Sequence, residues 1–80
     1  MNEQQVRVME ALTDYPHRGT EATIEALTIM GVDHAEDTAS ELFTRGIISE
    51  DDLLSCVDQD GNLITDKSLE IYQRIEKEVK

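Results

Sequence analysis

The chain has 80 residues and a formal net charge of -11, from 18 acidic residues against seven lysines and arginines. This charge disfavours nucleic acid and anionic lipid as direct partners, because both repel an acidic surface. A single cysteine excludes an internal disulfide and fits a reducing cytoplasm, and no apolar run approaches the ~20 residues that span a bilayer. We therefore expect one cytoplasmic domain, residues 1–80, with no membrane segment.

The first predicted element is an amphipathic helix over residues 3–14. Val6, Met9 and Leu12 repeat at three-residue spacing, which places them on one face of the helix. Pro16 ends this helix, because the residue before a proline is disfavoured in the helical conformation. The charged residues fall on the opposite face, so one side of the helix is expected to enter the core.

Two further helices follow at short spacing. Thr20 is the predicted N-cap of a second helix that runs to Met30, and Gly31 is its predicted left-handed C-cap. A third helix is predicted over Asp33–Thr44, since its first residue and Glu36 have the spacing of a capping box, and it is expected to end at Arg45-Gly46. A single residue separates the C-cap glycine from this third helix, so the two helices are expected to meet at a tight turn.

The segment after the third helix admits two interpretations. The pair Asp60-Gly61 lies between the apolar runs 53–57 and 63–65, which predicts a β-hairpin with a type I′ turn and positive φ at both central residues. Alternatively, Ser49 is the N-cap of a short helix, Glu50–Val57. We prefer the hairpin, because an Asp-Gly pair between apolar runs is the strongest short-range hairpin signal.

The last helix is predicted to begin at Asp66. Its apolar stripe consists of Leu69, Tyr72, Ile75 and Val79. Basic residues occur in its last turns, so the charge of this helix is nearly balanced. The first helix also has a clean stripe and nearly balanced charge. One hypothesis is therefore a homodimeric scaffold that pairs through both terminal helices.

The order of these elements resembles the winged helix-turn-helix superfamily. Residues Thr23–Leu27 and Met30–Asp33 are similar to its helix-turn-helix, Glu41–Ile48 to the entry into its wing, and Leu63–Ser68 to the segment after the wing. The resemblance implies a mostly α (α+β) fold with three helices, a β-hairpin wing and a C-terminal helix. It also implies a third helix that enters the DNA major groove. The helix-turn-helix is one residue short, however, and Ser68 replaces a frequent glycine.

Acidic residues dominate the middle of the chain, where this superfamily binds DNA. From Thr20 to Asp66 there are twelve acidic residues and one basic residue, Arg45. Phosphates repel such a surface, so we expect the partner to be a basic protein. The predicted partner-binding residues are Asp33, Glu36, Asp37, Glu41, Glu50, Asp51, Asp52, Asp58 and Asp60.

The leading hypothesis is an inhibitor whose carboxylates imitate phosphates and occupy the basic site of a nucleic-acid-binding protein. In size and charge the chain is similar to inhibitors from phages and mobile elements, such as anti-CRISPR proteins. The alternative from another class is a transcriptional regulator that binds DNA through cations outside the third helix. These cations are His17, Arg18, Arg45, Lys67, Arg74, Lys77 and Lys80.

The residues predict no enzyme activity, no cofactor and no metal site. Asp58–Asn62 resembles the start of a calcium-binding loop, but Leu63 and Leu69 stand where that loop needs glycine and glutamate. The two histidines lack the spacing of zinc ligands. Cys56 lies in an apolar run without an adjacent base, so we expect a buried, unreactive thiol.

Overall fold

The computed structural model describes residues 2–14 and 20–79. These residues form five helices: α1 (Glu3–Thr13), α2 (Glu21–Ile29), α3 (Ala35–Thr44), α4 (Glu50–Leu54) and α5 (Thr65–Val79). The same residues contain no β-sheet, and their β-pairing is limited to an isolated antiparallel bridge between Val57 and Leu63. The described architecture is therefore all-helical, and none of its helices is long and apolar enough to cross a membrane.

The first helix lies at the centre of the packing. Its residues Val8, Met9 and Leu12 are fully buried, and α1 packs against α2, α4 and α5. The third helix lies at the edge, because it packs chiefly on α2. The buried residues of α3 are Ala39 and Leu42, so its opposite face is left to solvent.

Glycines end two helices at the predicted positions. Gly31 has a φ of +81°, and its N–H donates to the Thr28 carbonyl at 3.0 Å. The next N–H, of Val32, donates to the Leu27 carbonyl at 3.0 Å. These two bonds form a Schellman motif, which needs a left-handed residue that glycine adopts without strain. Gly46, with a φ of +73°, ends α3 with the same pair of bonds.

The predicted β-hairpin wing is wrong, and with it the winged helix-turn-helix fold class. The chain after α3 forms α4, because Ser49 Oγ accepts from the Asp52 N–H at 3.2 Å and the Asp52 carboxylate accepts from the Ser49 N–H at 2.9 Å. This capping box satisfies two backbone donors of the first turn. The alternative interpretation, a short helix capped by Ser49, is confirmed, although the helix ends at Leu54.

The predicted type I′ turn is not formed by these residues either. Gly61 has a φ of +82°, but Asp60 does not share the positive φ that this turn needs at both central positions. The second apolar run is too short for a strand, because Thr65 already begins α5. A loop closed by the Asp58 side chain replaces the hairpin.

The predicted capping box at the start of the third helix is also wrong. The N-cap of α3 is His34, in the left-handed conformation at φ 57° and ψ 49°, and Ala35 is the first helical residue. Two residues separate Gly31 from His34, so the chain is still turning where Asp33 would need an extended backbone to cap a helix. Thr20 is the N-cap of α2, but its side chain makes no capping hydrogen bond.

The terminal helices follow the predicted periodicity. Tyr72 and Ile75 are buried as predicted, and the other two residues of the α5 stripe are half-buried. Ile71, which the stripe omits, is also buried. The predicted stop of the first helix at Pro16 lies outside the described residues.

Candidate functional site

Most of the nine acidic residues predicted to bind a partner are exposed. Four of them belong to α3 and the turn before it: Asp33, Glu36, Asp37 and Glu41. Glu36 and Asp37 lie in the first turn of α3, where the positive end of the helix dipole favours negative charge. They remain at the surface because α3 packs on α2 through its opposite face.

The fourth helix divides its three acidic residues between two environments. Glu50 and Asp51 are exposed in the first turn. The Asp52 side chain is 30% exposed, and its Oδ2 accepts from the Ser49 N–H at 2.9 Å and from Arg74 Nη1 at 3.1 Å. Asp52 Oδ2 is therefore engaged within the chain, where it links the start of α4 to α5.

Arg74 links α5 to the chain between α3 and α4. Its Nη1 also donates to the Ile47 carbonyl at 3.1 Å, and its Nη2 donates to Glu70 Oε1 at 3.3 Å. We call these contacts, together with the one to Asp52, the Arg74 clamp. Sequence reasoning missed this clamp, because Arg74 and Asp52 are 22 residues apart and no local pattern connects them.

Asp58 also has a structural contact. Its Oδ1 accepts from the N–H groups of Asp60 and Asn62, each at 2.9 Å. An aspartate that bonds to the backbone two residues further on is a common way to fix a turn. Asp58 and Asp60 line a hollow of about 430 Å³ beside Asp14, near the end of α1, which the acidic residues of α3 do not reach.

A groove of about 420 Å³ lies between α2, α3 and the start of α4. Its apolar lining consists of Ile24, Ala39 and Phe43, and two of the predicted acidic residues, Glu36 and Glu50, lie beside it. Hydroxyl side chains of the described residues also line it: Thr20, Ser40 and Thr44. We call this feature the α3 groove. It brings together acidic residues that belong to two different helices.

Sequence reasoning missed the apolar lining of the α3 groove. Helical periodicity predicts Ile24 and Phe43 as core residues, yet both are only half-buried. Their remaining exposure is a consequence of how α2, α3 and α4 meet. Periodicity within one helix contains no signal for such a junction.

Several of the cations that a DNA-binding protein needs lie close to carboxylates. Arg45 Nη1 lies 3.5 Å from Glu78 and 3.9 Å from Glu41, and Lys67 Nζ lies 3.8 Å from Glu70. Exposed pairs of this kind contribute little stability, but they reduce the positive charge offered to phosphates. Three further cations of that hypothesis lie outside the described residues: His17, Arg18 and Lys80.

Cys56 is fully buried, as predicted. Burial raises the pKa of its thiol, while a hydrogen bond with Ser68 lowers it and the charge of Asp52 raises it further. The thiol is therefore protonated and inaccessible at neutral pH, which does not suit a nucleophile. Among residues 2–14 and 20–79, no group of three or more histidine, cysteine, aspartate or glutamate side chains is placed to hold a metal ion.

Comparison with known proteins adds no family assignment. No protein-family model matches the chain, and no curated protein or solved structure matches it. The resemblance to the winged helix-turn-helix superfamily therefore has no support from relatives. Function has to be inferred from the exposed acidic residues and the α3 groove.

Proposed function

We propose that this protein binds a basic, nucleic-acid-binding protein and inhibits it by occupying its nucleic-acid site. One observation carries the proposal. Within the described residues, four carboxylates of α3 and α4 are exposed and form no ion pair: Glu36, Asp37, Glu50 and Asp51. Carboxylates without such partners keep their charge available to the lysines and arginines of another protein.

The spacing of acidic residues along α3 supports the imitation of phosphates. Asp37 and Glu41 are one helical turn apart, and side chains at this spacing lie about 5–6 Å from each other. Glu36 extends the same exposed face. A site that binds successive phosphates offers several cations, and α3 presents carboxylates on successive turns to meet them. Glu41 is also 3.9 Å from Arg45, an exposed pair that a stronger cation contact can replace.

Long-range attraction is expected to govern the association. The stretch from Thr20 to Asp66 contains one basic residue, so its field attracts a positive surface before contact. Salt weakens this attraction, because the Debye length is only ~8 Å at physiological ionic strength. We place the complex in the cytoplasm, with no direct contact between this chain and nucleic acid or membrane.

Affinity capture from a lysate of the source organism tests the proposal. The tagged chain should recover a basic nucleic-acid-binding protein, and added duplex DNA should release it. The triple variant E36K/D37K/E41K should recover at least tenfold less, since reversing three charges turns attraction into repulsion at the proposed contact.

The chain offers a matched control for this experiment. The variant E3K/E10K/E21K has the same net charge as the α3 variant, and its three positions are exposed in α1 and α2. It should recover the partner at close to the wild-type amount. Equal recovery by the α3 variant and the wild type would contradict the proposal.

Two further experiments test the competing hypotheses, a DNA-binding transcriptional regulator and a homodimeric scaffold. Fluorescence anisotropy with mixed duplexes at low salt should detect no binding, and a measurable affinity would favour the transcriptional regulator.

Analytical ultracentrifugation should find a monomer. The support for a monomer is that four stripe residues of α1 and α5 are buried within one chain: Met9, Leu12, Tyr72 and Ile75. The other stripe residues, Val6, Leu69 and Val79, are half-buried. A stable dimer would favour the scaffold.

A further inference from the structure

We infer that the α3 groove receives one aliphatic or aromatic side chain of a basic protein segment, while the neighbouring lysine or arginine of that segment contacts Glu36 and Glu50. This inference rests on the proposed function and specifies how the partner is recognised. It adds an apolar contact to an interface that would otherwise be purely electrostatic.

The shape and lining of the groove suit an apolar side chain. Its volume of about 420 Å³ lies within the ~300–1,000 Å³ that is common for binding pockets. Ile24 and Phe43 line it from α2 and α3, and both are half-buried, so the lining is apolar and partly exposed. An apolar side chain enclosed by a polar rim is the usual form of an energetically dominant contact in protein interfaces.

The charge at the groove favours a basic occupant. Among residues 2–14 and 20–79, the ionisable side chains that line the groove are Glu36 and Glu50, both acidic, and no basic side chain of this part of the chain lines it. An anionic occupant such as a nucleotide or a lipid headgroup would be repelled there. A neutral apolar ligand would leave both carboxylates without a role. A segment with an apolar residue beside lysine or arginine satisfies the lining and the rim together.

This arrangement has a consequence for salt dependence. A contact made only of exposed ion pairs weakens steeply as salt rises. Apolar burial does not depend on charge screening, and each buried methylene strengthens binding by about fourfold. Binding through the α3 groove should therefore retain a component that persists at high salt.

Titration with short peptides, followed by amide chemical shifts in the full chain, tests the inference. The probe is a blocked pentapeptide with one leucine between two pairs of lysines. It should shift the resonances of Ile24, Ser40 and Phe43. A peptide with alanine in place of leucine should bind at least about fivefold more weakly, because it has fewer carbons to bury. A peptide with glutamine in place of lysine should also bind more weakly.

Two pairs of substitutions separate the groove from the general acidity of the surface. E36Q/E50Q removes the two carboxylates of the groove and should weaken the leucine peptide about fivefold. D37N/D51N removes the same charge from the same first turns of α3 and α4, outside the groove, and should weaken it less than about twofold. S40W, at an exposed groove position, should block the peptide shifts at unchanged charge.

Results that differ from these expectations would overturn the inference. Absence of groove shifts at millimolar peptide, equal binding of the leucine and alanine peptides, or equal effects of E36Q/E50Q and D37N/D51N would contradict it. Groove shifts that grow with protein concentration alone would assign the groove to a second copy of the chain. If the peptides fail while the E36K/D37K/E41K variant still loses its partner, the proposed function stands without the groove. If that variant keeps its partner, the proposed function fails independently.

Discussion

The third and fourth helices both begin with acidic residues, yet these residues have different surroundings. In α3, Glu36 and Asp37 extend into solvent without an ion pair in the described part of the chain. In α4, Asp52 is bonded to its own N-cap and to Arg74. A run of acidic residues therefore contains some that stabilise the fold and others available for binding, and net charge alone does not distinguish them.

The position of each helix explains this difference. α3 packs chiefly on α2, so the face that holds Glu36, Asp37 and Glu41 is exposed. α4 packs against both α1 and α5, so one of its carboxylates comes within reach of an arginine on α5. An ion pair that links two helices needs both helices to be adjacent. In the described part of the chain, Glu36 and Asp37 in the first turn of α3 have no such pair.

The largest effect is expected for Asp52→Ala. This substitution removes a capping bond and a partly exposed ion pair, so the free energy of unfolding should fall by about 1–2 kcal/mol. The melting temperature should fall by about 5–10 °C for a domain of this size. Asp51→Ala, in the same helical turn, should change the unfolding free energy by less than about 0.5 kcal/mol. Equal melting temperatures for the two variants would mean that the contacts of Asp52 with Ser49 and Arg74 contribute nothing.

Alkaline pH should weaken the region after α4. Burial raises the pKa of the Cys56 thiol above its usual value of 9.0, so the folded chain keeps a proton that the unfolded chain loses. The unfolding free energy should therefore be constant below about pH 8 and fall as pH rises above 9. Burial and Glu76 also raise the pKa of the Tyr72 hydroxyl above its usual value.

Urea unfolding at several pH values between 7 and 10 measures this effect, with Cys56→Ala as the control. The control should lose about 1 kcal/mol at neutral pH, because it leaves a small cavity. Its stability should fall less between pH 8 and 10 than that of the wild type. Parallel declines in the two proteins would show that another group causes the loss.

A smaller effect is expected in the loop before α5. Asp58→Ala removes an acceptor of two backbone N–H groups, so the unfolding free energy should fall by about 0.5–1 kcal/mol. The neighbouring exposed Asp60 has no such side-chain bond in the described structure, and Asp60→Ala should be nearly neutral. Thermal unfolding compares the two variants, and identical losses would contradict the assigned role of Asp58.

The smallest effect on stability is expected in α3. E36Q/D37N should shift the unfolding free energy by less than about 0.5 kcal/mol, because lost helix-dipole attraction and relieved repulsion between acidic residues oppose each other. Raising NaCl from 20 to 300 mM, about the range over which the Debye length falls from ~20 to ~6 Å, should stabilise the wild type. The gain should be smaller for the variant. A wild-type melting temperature that falls with salt would mean that attractive pairs dominate the surface.

Among the five described helices, α1, α2, α3 and α5 follow from local sequence patterns. In the segment that forms α4, two local patterns predict different structures. The glycines at 31 and 46 end α2 and α3 as expected, since left-handed termini depend on a few adjacent residues. The segment from Ser49 to Leu63 contains two local signals, a capping residue and an Asp-Gly turn. Both are locally plausible, and the burial of Leu53 and Cys56 in the helical core selects the helix.

Residue order alone predicts the helical periodicity, the glycine helix ends, the exposure of the α3 acidic residues and the excess of negative charge. These properties depend on residue type and on neighbours within about one helical turn. Packing of the helices is needed to pair Asp52 with Arg74 and to bring Ile24, Phe43 and Glu50 to the border of one groove. These contacts join residues far apart in the chain, so they exist only after the helices have packed.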